Sequence, residues 1–159
     1  MIGVKIVCVG KLKESWLSAA CAEYLKRLSR YCQPTVAELA EHTLPEKPNE
    51  AQIAAALEKE GEAILKACEG HYTVAACVEG EQMSSEELSR TLDRISSEGK
   101  GRIAFVIGSS HGLSEKVKHA ADMRISVSKM TFPHQLFRVM LLEQIYRAFS
   151  ISAGAKYHK

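Results

Sequence analysis

Four short stretches carry residues whose types and spacing could do chemistry. Gly108-Ser-Ser-His-Gly112 sets two serines and a histidine between glycines, which let a backbone approach a small molecule closely. Its Gly-x-Ser-x-Gly spacing would also raise Ser110 as a nucleophile on a sharp turn, and Asp122 and His134 follow in the order an acyl-transfer triad uses. Ser126, Ser128 and Thr131 cluster just beyond it. Hydroxyls and backbone amides there could read a ligand's polar edge, with Met130 and Phe132 meeting its apolar part, or they could simply be turn residues. The ending Ala155-Lys-Tyr-His-Lys159 holds an aromatic ring and a histidine between lysines. Tyr157 can stack on a base, His158 can titrate near neutrality, and Lys156 and Lys159 can meet phosphates. A tail packed on its own body is the plain alternative. Finally, Glu143 and Arg147 stand four apart, so they share a helix face and can pair. Arg138 lies on another face, free for a partner chain or a phosphate.

Each reading has limits. The glycine loop is neither Gly-x-Gly-x-x-Gly nor a phosphate loop, which would end in Gly-Lys-Ser/Thr. It does match the nucleophile elbow of serine hydrolases, but 159 residues leave little room for the strands that precede such an elbow. His134 would also sit in the first turn of a helix beside Pro133, where a mobile loop is expected. The five cysteines (Cys8, Cys21, Cys32, Cys68, Cys77) are odd in number and never spaced Cys-x-x-Cys. That argues against a metal site or disulfide framework and for a reducing cytoplasm. No run approaches the roughly 18 apolar residues of a membrane helix, and charges inside the first apolar stretch argue against a signal peptide.

The formal net charge of +2 conceals an asymmetry. Residues 123–159 hold six Lys/Arg (Arg124, Lys129, Arg138, Arg147, Lys156, Lys159) against one acid, Glu143, and the first 122 residues are net acidic. A basic tail suggests a polyanionic partner, because Lys and Arg contacts to phosphate supply sequence-independent affinity; a merely solvated tail is the alternative.

The elements that must position these residues follow from periodicity. β-branched runs at 2–9, 72–78, 102–107 and 123–127 read as buried strands, with a further strand at 35–39. Helical spacing appears over 14–32 and 51–68. Ser84 with Glu87 forms a capping box that opens a helix to about residue 98, and a shorter helix spans 113–121. Pro133 opens the last helix, where proline loses no intrahelical bond. That helix is apolar nearly all round, as expected of one sandwiched between two bodies, and a partner copy is the natural second body. Strands alternating with helices predict one α/β domain with a mainly parallel sheet. In such sheets ligands bind beyond the carboxyl ends of strands, and three exits qualify: 77–80, 107–112 and 127–132.

Val9-Gly-Lys-Leu-Lys13, Phe105-Val-Ile-Gly108 with Gly112-Leu113, Ser128-Lys-Met-Thr-Phe-Pro-His-Gln135, Glu143-Gln-Ile-Tyr-Arg-Ala-Phe149 and Tyr157-His-Lys159 together resemble one family from first strand to last residue. It is the ribosomal RNA large-subunit methyltransferase H family, whose members methylate N3 of a pseudouridine in 23S rRNA. The resemblance implies a SPOUT-class α/β fold with a C-terminal trefoil knot, a cytoplasmic homodimer, and S-adenosylmethionine as cofactor, with no metal and no membrane. By position it implies that Ala76, Gly108, Val127, Ser128, Lys129, Met130, Thr131 and Phe132 line the cofactor. It also implies His158 and Arg138 as catalytic residues, His158 handling a proton and Arg138 or Tyr157 holding the nucleotide, with Lys156, Tyr157 and Lys159 on RNA. Two departures stand out: the family has a larger aliphatic residue at Ala76 and a second glycine at Ser109. Two other functions stay open: a serine hydrolase using Ser110, and a non-catalytic RNA-binding ribosome factor.

Overall fold

The computed structural model describes residues 1–158; the side chain of His158 and all of Lys159 lie outside the described residues. The elements run β1 (Gly3–Val9), α1 (Ser15–Leu28), β2 (Gln33–Leu39), α2 (Glu50–Ala67), β3 (Tyr72–Gln82), α3 (Ser85–Ser97), β4 (Arg102–Ile107), α4 (Glu115–Ala120), β5 (Met123–Ser126) and α5 (His134–Ser152), then a single 3-10 turn over Lys156–His158. The strands form one sheet in the order β2-β1-β4-β3-β5, and every pairing is parallel. Strand pairing defines neighbours and not threading, so the knot stays an expectation of the family.

Alternation along the strands divides the core in two. Val4, Ile6, Cys8, Val74, Ile103, Phe105 and Ile107 face α1, α3 and α5. Val7, Val9, Ala75, Ala104 and Val106 face α2 and α4 through Ile64, Cys68 and Val117. A parallel sheet covered on both faces needs strands that are apolar on both sides, and β4 has five successive buried residues for that reason. The five cysteines are free thiols. Burial pushes Cys8 and Cys32 up to about 11, so their nucleophilic thiolate is scarce at neutral pH.

Capping sets the helix starts. Ser84 accepts from Glu87 N while the Glu87 carboxylate accepts from Ser84 N, as the sequence pattern predicts. Asn49 and Gln52 make a second box that opens α2 one residue earlier than its apolar period indicates. α5 differs from expectation in its surroundings. Leu141, Leu142, Ile145 and Ala148 are buried, whereas Leu136, Phe137, Val139, Met140, Tyr146 and Phe149 are half-buried. One side packs on α1 and α3 and the rest is partly open. Among the described residues, no helix is long and apolar enough to cross a membrane.

The largest departure is in β3. It does not end near Val78 but continues to Gln82, and Ile125 of β5 stands opposite both Ala76 and Glu81. Residues 77–80 are therefore looped out of the ladder. Gly80 makes this possible: a Cβ there would lie 2.6 Å from the Ile125 carbonyl oxygen, so only a bare backbone fits.

Candidate functional site

The three strand exits converge. Residues 76–79 from the β3 bulge, 107–113 at and after the end of β4, and 125–128 with 130–132 at and after the end of β5 line one cavity of about 330 Å³, closed by His134 and Phe137 from α5 and Lys118 from α4. Its position at the β3 bulge and beyond the carboxyl ends of β4 and β5 is where open α/β sheets bind ligands.

Local chemistry shapes each wall. The loop after β4 is tight because Gly112 N donates to Ser109 O at 2.9 Å, and Gly112 has a φ of 84°, which favours glycine. A Cβ on Gly108 would lie 2.6 Å from the Gly112 carbonyl carbon, so this position too requires glycine. Ser109 is buried in the wall. Among the described residues no non-glycine has positive φ, so nothing in the backbone demands the family's glycine there. In the next loop Ser126 Oγ donates to Ser128 O at 3.0 Å, and Ser128 Oγ accepts from Met130 N at 3.0 Å. The hydroxyls thus hold the turn itself, as turn residues do, leaving Val127, Met130 and Phe132 exposed at the rim.

Of the residues the resemblance assigned to a cofactor, Ala76, Gly108, Val127, Ser128, Met130, Thr131 and Phe132 all line this cavity. Lys129 does not; it is exposed and stands outside the lining. Sequence reasoning missed Glu79 and Lys118 as a pair, and missed Phe137. Lys118 sits on a helix whose residue pattern signals only an amphipathic turn.

Arg138 requires a correction. It is 3% exposed, its Nη1 donates to Glu38 Oε2 at 2.7 Å and its Nη2 to Gly10 O at 3.0 Å. It lies outside the cavity lining, so it is a buried tie between α5 and the ends of β1 and β2 and not a free cation for a partner or phosphate. Arg147 is also engaged, gripping the Glu143 carboxylate through Nε and Nη2. Two members of the basic tail are thereby internally neutralised, leaving Arg124, Lys129 and Lys156 exposed.

Tyr157 departs from expectation in the same way. Its ring meets Tyr146 edge-to-face with centroids 4.7 Å apart, the Arg147 guanidinium lies 5.0 Å from its centre, and its hydroxyl donates to Glu143 Oε1 at 3.2 Å. Burial, with help from the Tyr24 hydroxyl and the Glu143 charge, pushes its phenol up to about 12. Tyr157 is packed on the chain's own body, and this ring is not a free stacking surface. The expectations for the His158 side chain and Lys159 fall outside the described residues.

The hydrolase arrangement is not formed. Asp122 accepts from Thr73 N at 2.7 Å and lines a separate cleft with Gly70, Tyr72 and Arg102 at the opposite ends of the strands from Ser110. Ser110 itself lacks the positive φ of a strained elbow.

The family profile described as "Predicted SPOUT methyltransferase" matches residues 2–158. The chain belongs to the SPOUT methyltransferase family. Relatives named ribosomal RNA large subunit methyltransferase H from Bacillus thuringiensis (strain Al Hakam) and Bacillus anthracis are each 48% identical over 159 residues, covering 99% of this chain and all of theirs. Among solved structures, a probable methylase family protein of Haemophilus influenzae Rd KW20 superposes with a TM-score of 0.59 at 15% identity, covering 98% of this chain and 70% of that one. A tRNA (m1G37) methyltransferase of Aquifex aeolicus gives 0.51 at 15% identity, covering 91% and 69%. At such identities these two show the SPOUT fold alone.

Proposed function

We propose that this SPOUT chain acts as a single methyltransferase domain that uses S-adenosylmethionine to methylate N3 of a pseudouridine in 23S rRNA, working as a cytoplasmic homodimer on assembled ribosomes. The observation that carries the cofactor assignment is the convergence of the three strand-exit loops on one cavity. Its donor set fits that cofactor: apolar walls from Ala76, Ile107, Leu113 and Phe137 for a flat base, and bare backbone at Gly108 for close approach. The rRNA substrate is supported by full-length relatives named for it.

When bound, the cofactor supplies an electrophilic sulfonium methyl. The chain's task is then alignment, because holding two reactants in line removes most of the entropic barrier. Gly108 and the 127–132 loop would hold the cofactor, and Val127, Met130 and Phe132 would offer an apolar rim against water. N3–H of pseudouridine is weakly acidic, so a base or cation favouring its anion raises the rate; His158 is the candidate. Lys156 is exposed and suited to phosphate contact. The half-buried side of α5 and the apolar rim offer a surface for a second copy, which would bring one tail to the other's cavity.

The test is incubation of the protein with radiolabelled cofactor and either ribosomes or deproteinised 23S rRNA. Label in 23S rRNA, mapped to N3 of a pseudouridine and greater with ribosomes, is expected. No label in large-subunit RNA would overturn the reading, and equal labelling of naked RNA would overturn the assembled-ribosome part. His158→Ala should cut turnover at least about tenfold with cofactor affinity unchanged; full activity in that variant would remove its catalytic role.

A further inference from the structure

Lys118 and Glu79 are the only oppositely charged side chains among the described residues that line the cavity. They come from different elements: Glu79 from the bulge in β3 and Lys118 from α4. Lys118 is unusually enclosed for a lysine, its side chain only 14% exposed, and it is ion-paired with the half-exposed Glu79. It also reaches Glu115 at 3.4 Å, outside the cavity lining. An enclosed ammonium is costly without partners, so its placement in a ligand-sized wall calls for a reason. A surface pair contributes little to stability by itself.

We propose that Lys118 and Glu79 form the subsite for the amino-acid end of the cofactor, Lys118 taking the α-carboxylate and Glu79 the α-ammonium. The inference rests on the reading of this cavity as the S-adenosylmethionine site. The exchange is balanced in charge: one internal ion pair opens into two pairs with a zwitterion that adds no net charge. Glu115 stays beside Lys118 throughout, so the ammonium is never left alone. The hydrogen bond to Glu79 holds Lys118 above its usual range and Glu79 is held correspondingly low, so both groups are charged at neutral pH, as the exchange requires. The other titratable groups on the lining, Cys77, His111 and His134, do not offer this complementary pair.

Two ligands separate this subsite from the rest of the cavity. S-adenosylhomocysteine carries the amino-acid end, 5′-methylthioadenosine lacks it, and neither donates a methyl group, so calorimetric affinity is the readout. Lys118→Met should weaken S-adenosylhomocysteine by about tenfold or more and change methylthioadenosine by less than about twofold, with Lys118→Arg restoring part of the loss. Should Lys118→Met fail to fold, Glu79→Gln is measured with the same two ligands and the same differential is expected. Equal loss for both ligands, or no loss for either, would overturn the subsite while leaving the cofactor site standing. A wild-type protein that binds neither ligand would overturn the cofactor reading and this inference with it.

Discussion

Gly80 and Gly108 are the residues on which the cavity depends most directly. Each occupies a place where a Cβ would collide with backbone, Ile125 in one case and Gly112 in the other, and backbone cannot rotate away as a side chain can. Gly80→Ala should cost about 1–3 kcal/mol by overpacking, seen as a lower urea midpoint, together with weaker binding of S-adenosylhomocysteine. Gly112→Ala makes a useful contrast: open space surrounds it, and its only penalty is the positive φ. Tyr157 carries a second prediction. Its phenol is raised to about 12 from an ordinary 10, so the neutral form is favoured in the fold. The tail contact is therefore fully present below pH 10 and is lost as pH rises toward 12. An ultraviolet titration should show one tyrosine ionising late, and Tyr157→Phe should remove that step; its persistence would assign the late step to another ring.

At the scale of elements, Arg138 decides how α5 is seated. The guanidinium joins α5 to Glu38 on β2 and to the carbonyl of Gly10 after β1, while its Nε is buried with no partner among the described residues. Removing one member of a buried pair costs about 3–5 kcal/mol. Glu38 keeps 37% of its side chain exposed and can rehydrate, which puts Arg138→Met at the lower end, about 3 kcal/mol. Chemical denaturation measures the loss, and S-adenosylhomocysteine affinity of the folded fraction should be unaffected; an unchanged midpoint would return Arg138 to the list of groups available for catalysis. The Glu143–Arg147–Tyr157 cluster does the equivalent work at the other end of α5, tying the last turn to the helix.

For the molecule as a whole, the open side of α5 and the cavity rim share one character. Met130 is 76% exposed, and Val127 and Phe132 are exposed beside it. An exposed apolar patch beside the proposed cofactor cavity is the kind of surface a second copy would cover. Sedimentation equilibrium should return about twice the 17.5 kDa chain mass, and a monomer at micromolar concentration would contradict the proposed second copy. If Arg138 and Arg147 stay paired within the chain, replacing either should leave the salt dependence of ribosome binding unchanged, whereas replacing exposed Lys129 or Lys156 should lower its slope.

Local sequence carried much of this. Strand and helix types, the capping box at Ser84 and the three loops that meet at the cavity were all legible, because β-branched runs, helical periods and glycine punctuation act over a few residues. The family, too, was legible from short motifs spread along the chain. Tertiary structure alone decided the rest. The continuation of β3 past Val78 depends on a contact with Ile125, some 45 residues away in the chain. The burial of Arg138 depends on Glu38, a separation of 100 residues, and the meeting of Glu79 with Lys118 depends on where α4 lies. A charged side chain looks the same in sequence whether solvent, an acid or a ligand awaits it; only the packed chain chooses its partner.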